Sequence, residues 1–374
     1  MYSDKLKFNS DGKFKIMQIA DIQEEASVSP DTIRLITLAI EKEKPDLIVL
    51  TGDQLHGISP SYFTGNSEEK VRKVIDTIVS PFIEAGIPFA VTFGNHDRQV
   101  GLSNAEQADI YNCYPYCIHG KYADENDKGT FRLPLYCEDK HIFDIFLIDS
   151  NGQSVTGEYL PVSEAQLDWF KTEREKAKED GIYTNAIVFQ HIPVPEFFDI
   201  IKRVKFGTKG AVEAFRTHKG EFYVLPEEIK NKGGFMGESP ATPDRNSGEF
   251  EVLKEKGNIL ALIVGHDHIN SFIGEKDGIK LIYTQCAGFN VYGPKLKRGV
   301  RIIELDKNDL SEFNTYTVTY DELTSEKLSK PLKEFVLTHI PTSMEQVKRL
   351  AVLGFMGVGT VGSVALYHIL KKRK

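Results

Sequence analysis

The stretch Phe93-Gly94-Asn95-His96-Asp97 decides how the rest of the chain is interpreted. It follows an apolar run, residues 87–92, that is typical of a buried strand. Because glycine permits a sharp turn, the strand would end by presenting three polar side chains at its tip. An amide oxygen can bind a cation, and an imidazole can bind a metal or transfer a proton. The motif alone does not separate a metal site from an ordinary turn, so other strand ends must decide.

Two earlier strands are predicted to end in the same way. Residues 14–20 and 46–50 are strand-like, and each runs into a turn that carries a carboxylate. Helical spacing over residues 30–44 and 68–85 completes a βαβαβ pattern, which favours a parallel sheet with right-handed crossovers. Ligands of such sheets bind at the carboxyl ends of the strands. The side chains predicted to meet there are Asp21, Gln23, Asp53, Asn95 and His96.

The second half of the chain adds further polar strand ends. Residues 185–189 lead to His191, and residues 259–264 lead to Gly265-His266-Asp267-His268. A third apolar run, residues 142–148, ends in Asp149-Ser150-Asn151-Gly152. Residues 197–258 have no regular pattern, and so long an irregular stretch is usually a functional loop or lid. We expect this segment to line the mouth of a site, and the candidate substrate contacts are Arg98 and Arg245.

Carboxylates, imidazoles and amides are the ligands that divalent metals take from proteins. The set collected here exceeds what one four-coordinate ion needs. It suits two ions about 3.5–4 Å apart that share one carboxylate and act together on a phosphate ester. The sequence therefore predicts a centre with two divalent metal ions.

The blocks D-I-Q, G-D-Q, G-N-H-D, Q-H-I-P and G-H-D-H, in this order, resemble those of the calcineurin-like metallophosphoesterases. The resemblance covers residues 14 to about 306. Stretches such as residues 88–91, 190–196 and 246–248 are similar to a branch with plant purple-acid-phosphatase-like and yeast phosphatase members. The resemblance implies an α/β fold, a four-layer αββα sandwich of two mixed sheets.

The resemblance also implies a role for each site residue. Asp53 would bridge the two ions; Asp21, Gln23 and His268 would complete one metal site, and Asn95, His191 and His266 the other. His96 would assist the leaving group, with Asp97 orienting it. The implied activity is hydrolysis of phosphomonoesters or phosphodiesters by attack of a metal-bound hydroxide. The alternative is a weakly active or inactive member of the fold that serves as a scaffold at a membrane.

Gln23 departs from the family pattern, in which a histidine stands at this position. Glutamine is a neutral and weaker ligand, so the first metal site is expected to be looser and to favour Mn²⁺ or Fe²⁺/Fe³⁺ over Zn²⁺. Gln54 and Leu55 follow Asp53, where a purple iron centre would have a tyrosine ligand. We therefore do not expect a purple iron centre.

Composition narrows the function classes further. The 374-residue chain is 41% hydrophobic and has a net charge of −8, so bulk nucleic-acid binding is not expected. The four cysteines have neither zinc-ligand nor disulfide spacing, and the N-terminus lacks the apolar core of a secretory signal. These features predict a catalytic domain that stays in the cytoplasm.

The C-terminus is predicted to be a membrane anchor. Residues 350–370 lack Asp, Glu, Lys and Arg, and their number matches what a helix needs to cross a bilayer. The expected organisation is a metallophosphoesterase domain at 1–320, a charged stalk at 321–348 and a transmembrane helix with a basic tail at 349–374. The alternative is a C-terminal apolar helix that packs against the soluble domain.

Overall fold

The computed structural model describes residues 5–179 and 181–339. Within these residues the first nine strands are β1 (Leu6–Lys7), β2 (Lys13–Ile19), β3 (Leu47–Thr51), β4 (Phe89–Thr92), β5 (Phe131–Cys137), β6 (Lys140–Leu147), β7 (Lys178–Glu179), β8 (Ile182–Tyr183) and β9 (Asn185–Phe189). The others are β10 (Lys202–Val204), β11 (Val212–Glu213), β12 (Phe222–Val224), β13 (Phe235–Met236), β14 (Ile259–Val264), β15 (Asn270–Lys276), β16 (Ile279–Tyr283), β17 (Gly299–Asp306) and β18 (Asp309–Thr319). The α-helices are α1 (Pro30–Glu43), α2 (Ser67–Glu84), α3 (Asn104–Tyr111), α4 (Glu164–Lys176), α5 (Glu227–Lys230), α6 (Glu249–Glu255), α7 (Tyr320–Leu323) and α8 (Pro331–His339).

Two mixed sheets form the centre of the fold. The smaller sheet has the strand order β18-β17-β2-β3-β4, in which β2, β3 and β4 are parallel. The larger sheet has the order β1-β5-β6-β9-β14-β16-β15-β13, in which β6, β9, β14 and β16 are parallel. The central strands of both sheets therefore end at carboxyl edges, where polar residues can collect.

Three apolar clusters hold these layers together. The first lies between the sheets, where Val49 of the smaller sheet and Ile187 of the larger one belong to the same buried cluster. The second packs Leu50 against α1 and α2, and the third packs Leu262 against α4 and α6. Helices thus cover the outer face of each sheet, which confirms the predicted mixed α/β fold.

Strand β3 shows why the sequence adopts this layering. All five of its residues are buried, as expected for a parallel strand covered on both faces. Leu47 and Val49 belong to the cluster between the sheets, whereas Ile48 and Leu50 belong to the cluster under α1 and α2. The period of two therefore divides one apolar run between two separate cores.

The segment 197–258 is more regular than the sequence predicted. It contains β10, β11, β12, α5, β13 and α6, and β10, β12 and β11 form a small antiparallel sheet. Strands of two or three residues give almost no periodic signal, so the sequence did not reveal them. Tyr223 and Ala214 are buried in the core under the larger sheet, which fixes the segment to the fold.

The chain divides into two compact units, Met1–Ser329 and Lys330–Lys374. Of the second unit, the structure describes α8, which falls in the predicted stalk. The predicted apolar helix and membrane anchor at 349–374 lie outside the described residues. In the part of the chain that the structure describes, we find no helix with the length and apolarity needed to span a bilayer.

One buried acid should make folding depend on pH. Glu249 begins α6 with 4% of its surface exposed, and its Oε1 atom makes no hydrogen bond within residues 5–179 and 181–339. Burial and the nearby carboxylate of Glu196 raise the pKa of Glu249 to about 8. The folded protein therefore keeps this proton up to about pH 8, whereas the unfolded chain releases it near its ordinary pKa of 4.5. Stability should fall as pH rises between these values.

We predict that Glu249→Gln removes this loss of stability because the amide stays neutral at every pH. Relative to the natural protein, the variant should gain at least about 2 °C in Tm at pH 9 compared with pH 5. The matched control is Glu251→Gln, because Glu251 lies on the same helix with an exposed side chain. Thermal melts at both pH values measure the difference, and equal pH dependence in the two variants would contradict the prediction.

Candidate metal centre

The ends of five parallel strands bring the predicted ligands together. Strands β2, β3 and β4 lead to the ligands of the first half of the chain, and β9 and β14 lead to those of the second half. All seven side chains are buried, with exposed fractions of 8% or less. They are Asp21, Gln23, Asp53, Asn95, His191, His266 and His268.

Four of these residues have a left-handed backbone although none is glycine. The φ angles are 52° at Asp21, 38° at Gln23, 52° at Asp53 and 74° at His266. Such a conformation costs roughly 1 kcal/mol or more per residue and is held by the surrounding structure. It turns the chain sharply at the strand end, so that the side chain reaches the centre instead of continuing along the sheet.

Asp53, His191 and His266 form the most compact group. One potential ligand atom from each lies within 4.8 Å of the others. Asp53 Oδ2 is 3.1 Å from His191 Nε2, which is 3.2 Å from His266 Nδ1. Two imidazoles and a carboxylate in this arrangement are a usual ligand set for a divalent metal.

Asp21, Gln23 and His268 form a second group beside the first. Asp21 Oδ1 is 3.3 Å from His268 Nε2, and Gln23 Nε2 is 3.2 Å from the same nitrogen. Gln23 Nε2 also lies 3.0 Å from Asp53 Oδ2, so Asp53 contacts both groups. Within residues 5–179 and 181–339, these contacts give Asp53 the central position between the two predicted metal sites.

Three potential metal-ligand atoms in the centre make no hydrogen bond within the described chain. They are Asp21 Oδ1, Asn95 Oδ1 and His266 Nε2, and all three are inaccessible to solvent. Burying such atoms without a partner costs free energy. A bound cation would satisfy an amide oxygen, a carboxylate oxygen and an imidazole nitrogen alike, so the donor set fits divalent metals.

The charges of the centre are strongly coupled. Burial would raise the pKa of Asp53, but the charges of His191 and His96 lower it below its ordinary value. Burial would lower the pKa of His191, but Asp53 and Asp21 raise it to about 10. Burial and the charge of His191 keep the pKa of His266 well below its ordinary value. Without a metal, a proton on His191 therefore offsets part of the negative charge.

Backbone carbonyls fix the orientation of two histidines. His191 Nδ1 donates to the carbonyl of Thr51 over 3.0 Å, and His268 Nδ1 donates to the carbonyl of Tyr292 over 3.0 Å. Each bond leaves Nε2 available toward the centre, as is usual for metal-bound histidines. Tyr292 also stacks on His268, with ring centroids 4.3 Å apart. Sequence reasoning missed Tyr292, because its separation from His268 gives no local pattern.

Asp97 was expected to orient His96, but its carboxylate instead accepts hydrogen bonds from four backbone amides. Its Oδ1 atom accepts from the amides of Gln54 and Leu55, and its Oδ2 atom accepts from those of Asp53 and Gly94. Asp97 therefore joins the turn after β3 to the turn after β4. Burial and the charge of Asp53 raise its pKa to about 7.

His96 lies at the edge of the centre and is held by two contacts. Its backbone amide donates to Asp53 Oδ1 over 2.7 Å, and its Nδ1 atom lies 2.7 Å from Gln99 Oε1. Gln99 is three residues away, in the 3₁₀ turn Asp97–Val100. That spacing was a local signal that the sequence interpretation did not use.

The two arginines chosen as substrate contacts differ in their surroundings. Arg98 has a side chain that is 37% exposed, and its Nη2 atom lies 3.9 Å from Asp149 Oδ1. Arg245 is exposed and follows Asp244, which pairs with Arg216. The structure thus places Arg98 beside the turn after β6.

We predict that Asp97→Asn destabilises the metal-free protein by about 2–4 kcal/mol, because one carbonyl oxygen cannot accept from four amides. Denaturation in the presence of a chelator measures this without a contribution from bound metal. The control is Asp168→Asn, whose carboxylate is 64% exposed. A loss no larger than that of the control would show that Asp97 does not hold the two turns together.

We predict that metal titration of the natural protein shows two unequal steps. The reason is that the neutral amide of Gln23 is a weaker metal ligand than an imidazole. Gln23→His should tighten the weaker step by about tenfold and shift its preference toward Zn²⁺. Gln23→Met keeps the length of the side chain without a hard donor and should weaken the same step. Calorimetry in Mn²⁺ and Zn²⁺ tests both variants, and two equal, tight steps in the natural protein would argue against a weaker site.

Comparisons with known proteins identify relatives of this chain. The chain is 28% identical over 348 residues to Probable inactive purple acid phosphatase 14 of Arabidopsis thaliana, covering 80% of this chain and 77% of the relative. It is 25% identical over 343 residues to Phosphatase DCR2 of Saccharomyces cerevisiae, covering 82% of this chain and 54% of that protein.

A solved structure and a family profile complete the comparison. The crystal structure of a dimetal phosphatase from Danio rerio aligns with a TM-score of 0.51 and 14% identity, over 82% of this chain and 99% of the other. At that identity the likeness concerns the fold. The profile of the calcineurin-like phosphoesterases matches residues 14–270, which is well over half of the chain. The chain therefore belongs to the calcineurin-like phosphoesterase family.

Proposed function

We propose that this protein is a phosphoric ester hydrolase that uses two divalent metal ions. The observation that carries the proposal is a group of seven buried side chains at strand ends, six of them joined by short contacts. Three of the seven have buried atoms that make no hydrogen bond within the described residues, and His96 lies beside them. A purely structural polar cluster would satisfy its own hydrogen bonds.

Asp53 is the shared ligand in this proposal. It contacts His191 through Oδ2 and Gln23 through the same oxygen, while Oδ1 accepts from the His96 amide. Asp21, Gln23 and His268 would hold one ion, and Asn95, His191 and His266 the other. Ions in this position would activate a water molecule for attack on phosphorus and neutralise charge on the phosphate. The donor set suits Mn²⁺, iron or Zn²⁺.

His96 would donate a proton to the leaving oxygen. Its Nδ1 atom faces the carbonyl oxygen of Gln99, which can accept an N–H from the ring in both its neutral and its charged form. The opposite ring nitrogen is then the one available to a substrate. Because an imidazole can hold a proton and transfer it to a reacting group, it suits the protonation of a leaving alkoxide.

The segment 197–258 would act as the lid of the site. Arg216 forms a two-point ion pair with Asp244, and its Nη1 atom donates to the carbonyl of Gly157 over 2.8 Å. The loop that carries Gly157 places Tyr159 edge-on to His266, with ring centroids 4.7 Å apart. Arg216 thus links the segment to a ring that covers a proposed metal ligand.

A second candidate function is supported by the name of the plant relative, which describes that protein as probably inactive. This chain would then use the fold without turnover. Against that reading, six of the seven ligand positions carry the residue type that the resemblance implies, and His96 is also retained.

We predict that the protein loaded with Mn²⁺, Fe²⁺ or Zn²⁺ hydrolyses chromogenic phosphomonoesters or phosphodiesters. His96→Ala should slow turnover by roughly 10²–10⁴-fold while the bound metal is kept, as expected of an acid. Asp53→Asn should lose both activity and metal. His141→Ala is the control, because His141 lies at the end of β6 that is remote from the centre. If the loaded protein cleaves neither ester type, the inactive alternative stands.

A further inference from the structure

A pocket lined mainly by polar residues lies next to the metal centre and has no role in the proposed hydrolysis. Its volume is about 410 Å³. It is bounded by the N-terminal ends of α3 and α4, by the loop before β5 and by the turn Asp149-Ser150-Asn151-Gly152 after β6. That turn is a polar strand end, yet it supplies none of the proposed metal ligands.

The pocket and the metal centre share a wall. Gly152 packs so closely on the turn after β4 that a Cβ atom there would lie 3.4 Å from the Cα atom of Asn95. It would also lie 3.1 Å from Arg98 Nε, and Arg98 itself lines the pocket. The pocket therefore lies beside the turn after β4 that carries Asn95.

Asn104 presents an unsatisfied acceptor in the pocket. The residue is 7% exposed, and its Nδ2 atom donates to Asp149 Oδ2 over 2.8 Å. This bond fixes the orientation of the amide, because the reverse orientation would place two oxygens against each other. Asn104 Oδ1 then remains buried and has no hydrogen bond within the described chain. A ligand that carries an N–H donor could satisfy this buried acceptor.

Two carboxylates add negative charge to the same pocket. Asp127 Oδ2 accepts from Gln166 Nε2 over 2.9 Å, but Asp127 Oδ1 is buried and unpartnered among residues 5–179 and 181–339. Burial and the charge of Asp149 raise the pKa of Asp127 to about 6. The Asp149 carboxylate faces Arg98 at 3.9 Å, which is too far for a direct hydrogen bond. The pocket thus has more acceptors and more negative charge than its own donors satisfy.

The two helix ends do not make the pocket an anion site. Ser103 accepts from the amide of Glu106, and Ser163 accepts from the amide of Gln166. In each capping box the side chain at the third helical position also bonds back to the serine amide. The amides that could bind an anion are therefore partly used, and among the described residues Arg98 is the one cationic side chain of the pocket lining.

We propose that this pocket binds the alcohol portion of the substrate and that this alcohol carries an ammonium group. The inference rests on the proposed hydrolase activity and names its substrate class, the phosphate esters of amino alcohols. The ammonium group would donate to Asp127 Oδ1 and Asn104 Oδ1, while Arg98, at the shared wall, would lie on the phosphate side. Carboxylates favour an ammonium group over an uncharged polyol, because charge-assisted hydrogen bonds are the stronger ones.

The test uses ligands that cannot be hydrolysed, so that binding is measured separately from turnover. 3-Aminopropylphosphonate and butylphosphonate have the same chain length and differ by an ammonium group in place of a methyl group. With the full-length protein loaded with Mn²⁺, calorimetry should give the amino ligand a Kd about tenfold lower. Asp127→Asn keeps an acceptor toward Gln166 but removes the charge, and it should reduce the difference to about twofold or less. Asp139→Asn, at a carboxylate that is 92% exposed, is the matched control and should keep the full difference.

Equal Kd values for the two ligands in the natural protein would overturn the inference, as would an unchanged difference in Asp127→Asn. Tighter binding of 2,3-dihydroxypropylphosphonate than of the amino ligand would overturn it in favour of a polyol. The activity assays with chromogenic esters fail or succeed independently. A protein that shows the predicted binding difference but cleaves no ester would contradict the proposed hydrolase and support the ligand assignment of the pocket.

Discussion

The two sheets are joined behind the metal centre by a row of polar side chains that crosses an otherwise apolar core. Gln18 on β2 contacts Thr51 at the end of β3 and Thr284 just after β16. Arg301 on β17 donates to Thr284 and to the carbonyl of Tyr283. Within the described residues no carboxylate pairs with Arg301, and burial lowers its pKa to about 9. Sliding one sheet over the other would leave these groups unsatisfied in the core, so the row fixes the alignment of the sheets.

That alignment determines the site. The side chain of Thr51 belongs to this row, and the backbone carbonyl of the same residue orients His191. Asp97 ties the turns after β3 and β4 through four backbone amides, which sets the distance between Asp53 and Asn95. The proposed ligands are therefore positioned by hydrogen bonds to the backbone, and little rearrangement would be needed for a metal to bind.

The sequence predicted the parts of this arrangement that follow from strand ends. A parallel strand that finishes in a polar turn must place that turn at the carboxyl edge, and this rule led to the proposed ligands from Asp21 to His268. The sequence could not predict partners brought together by the fold alone. Tyr292 supports His268 from a separate loop, and Asn104 meets Asp149 across the pocket. The regular structure of segment 197–258 could not be predicted, because its strands and helices are too short to repeat a sequence pattern.

The left-handed backbone at four ligand positions also bears on how such a site could be lost over evolution. At Asp21, Gln23, Asp53 and His266, a replacement must tolerate the turn as well as the missing metal. Glycine and asparagine meet that demand readily, whereas β-branched residues meet it at a cost in stability. In a lineage that lost metal binding, the ligand side chains would therefore change while the left-handed turns were kept. Glycine or asparagine at these four turns in a related protein would then indicate that its ancestor had a metal centre.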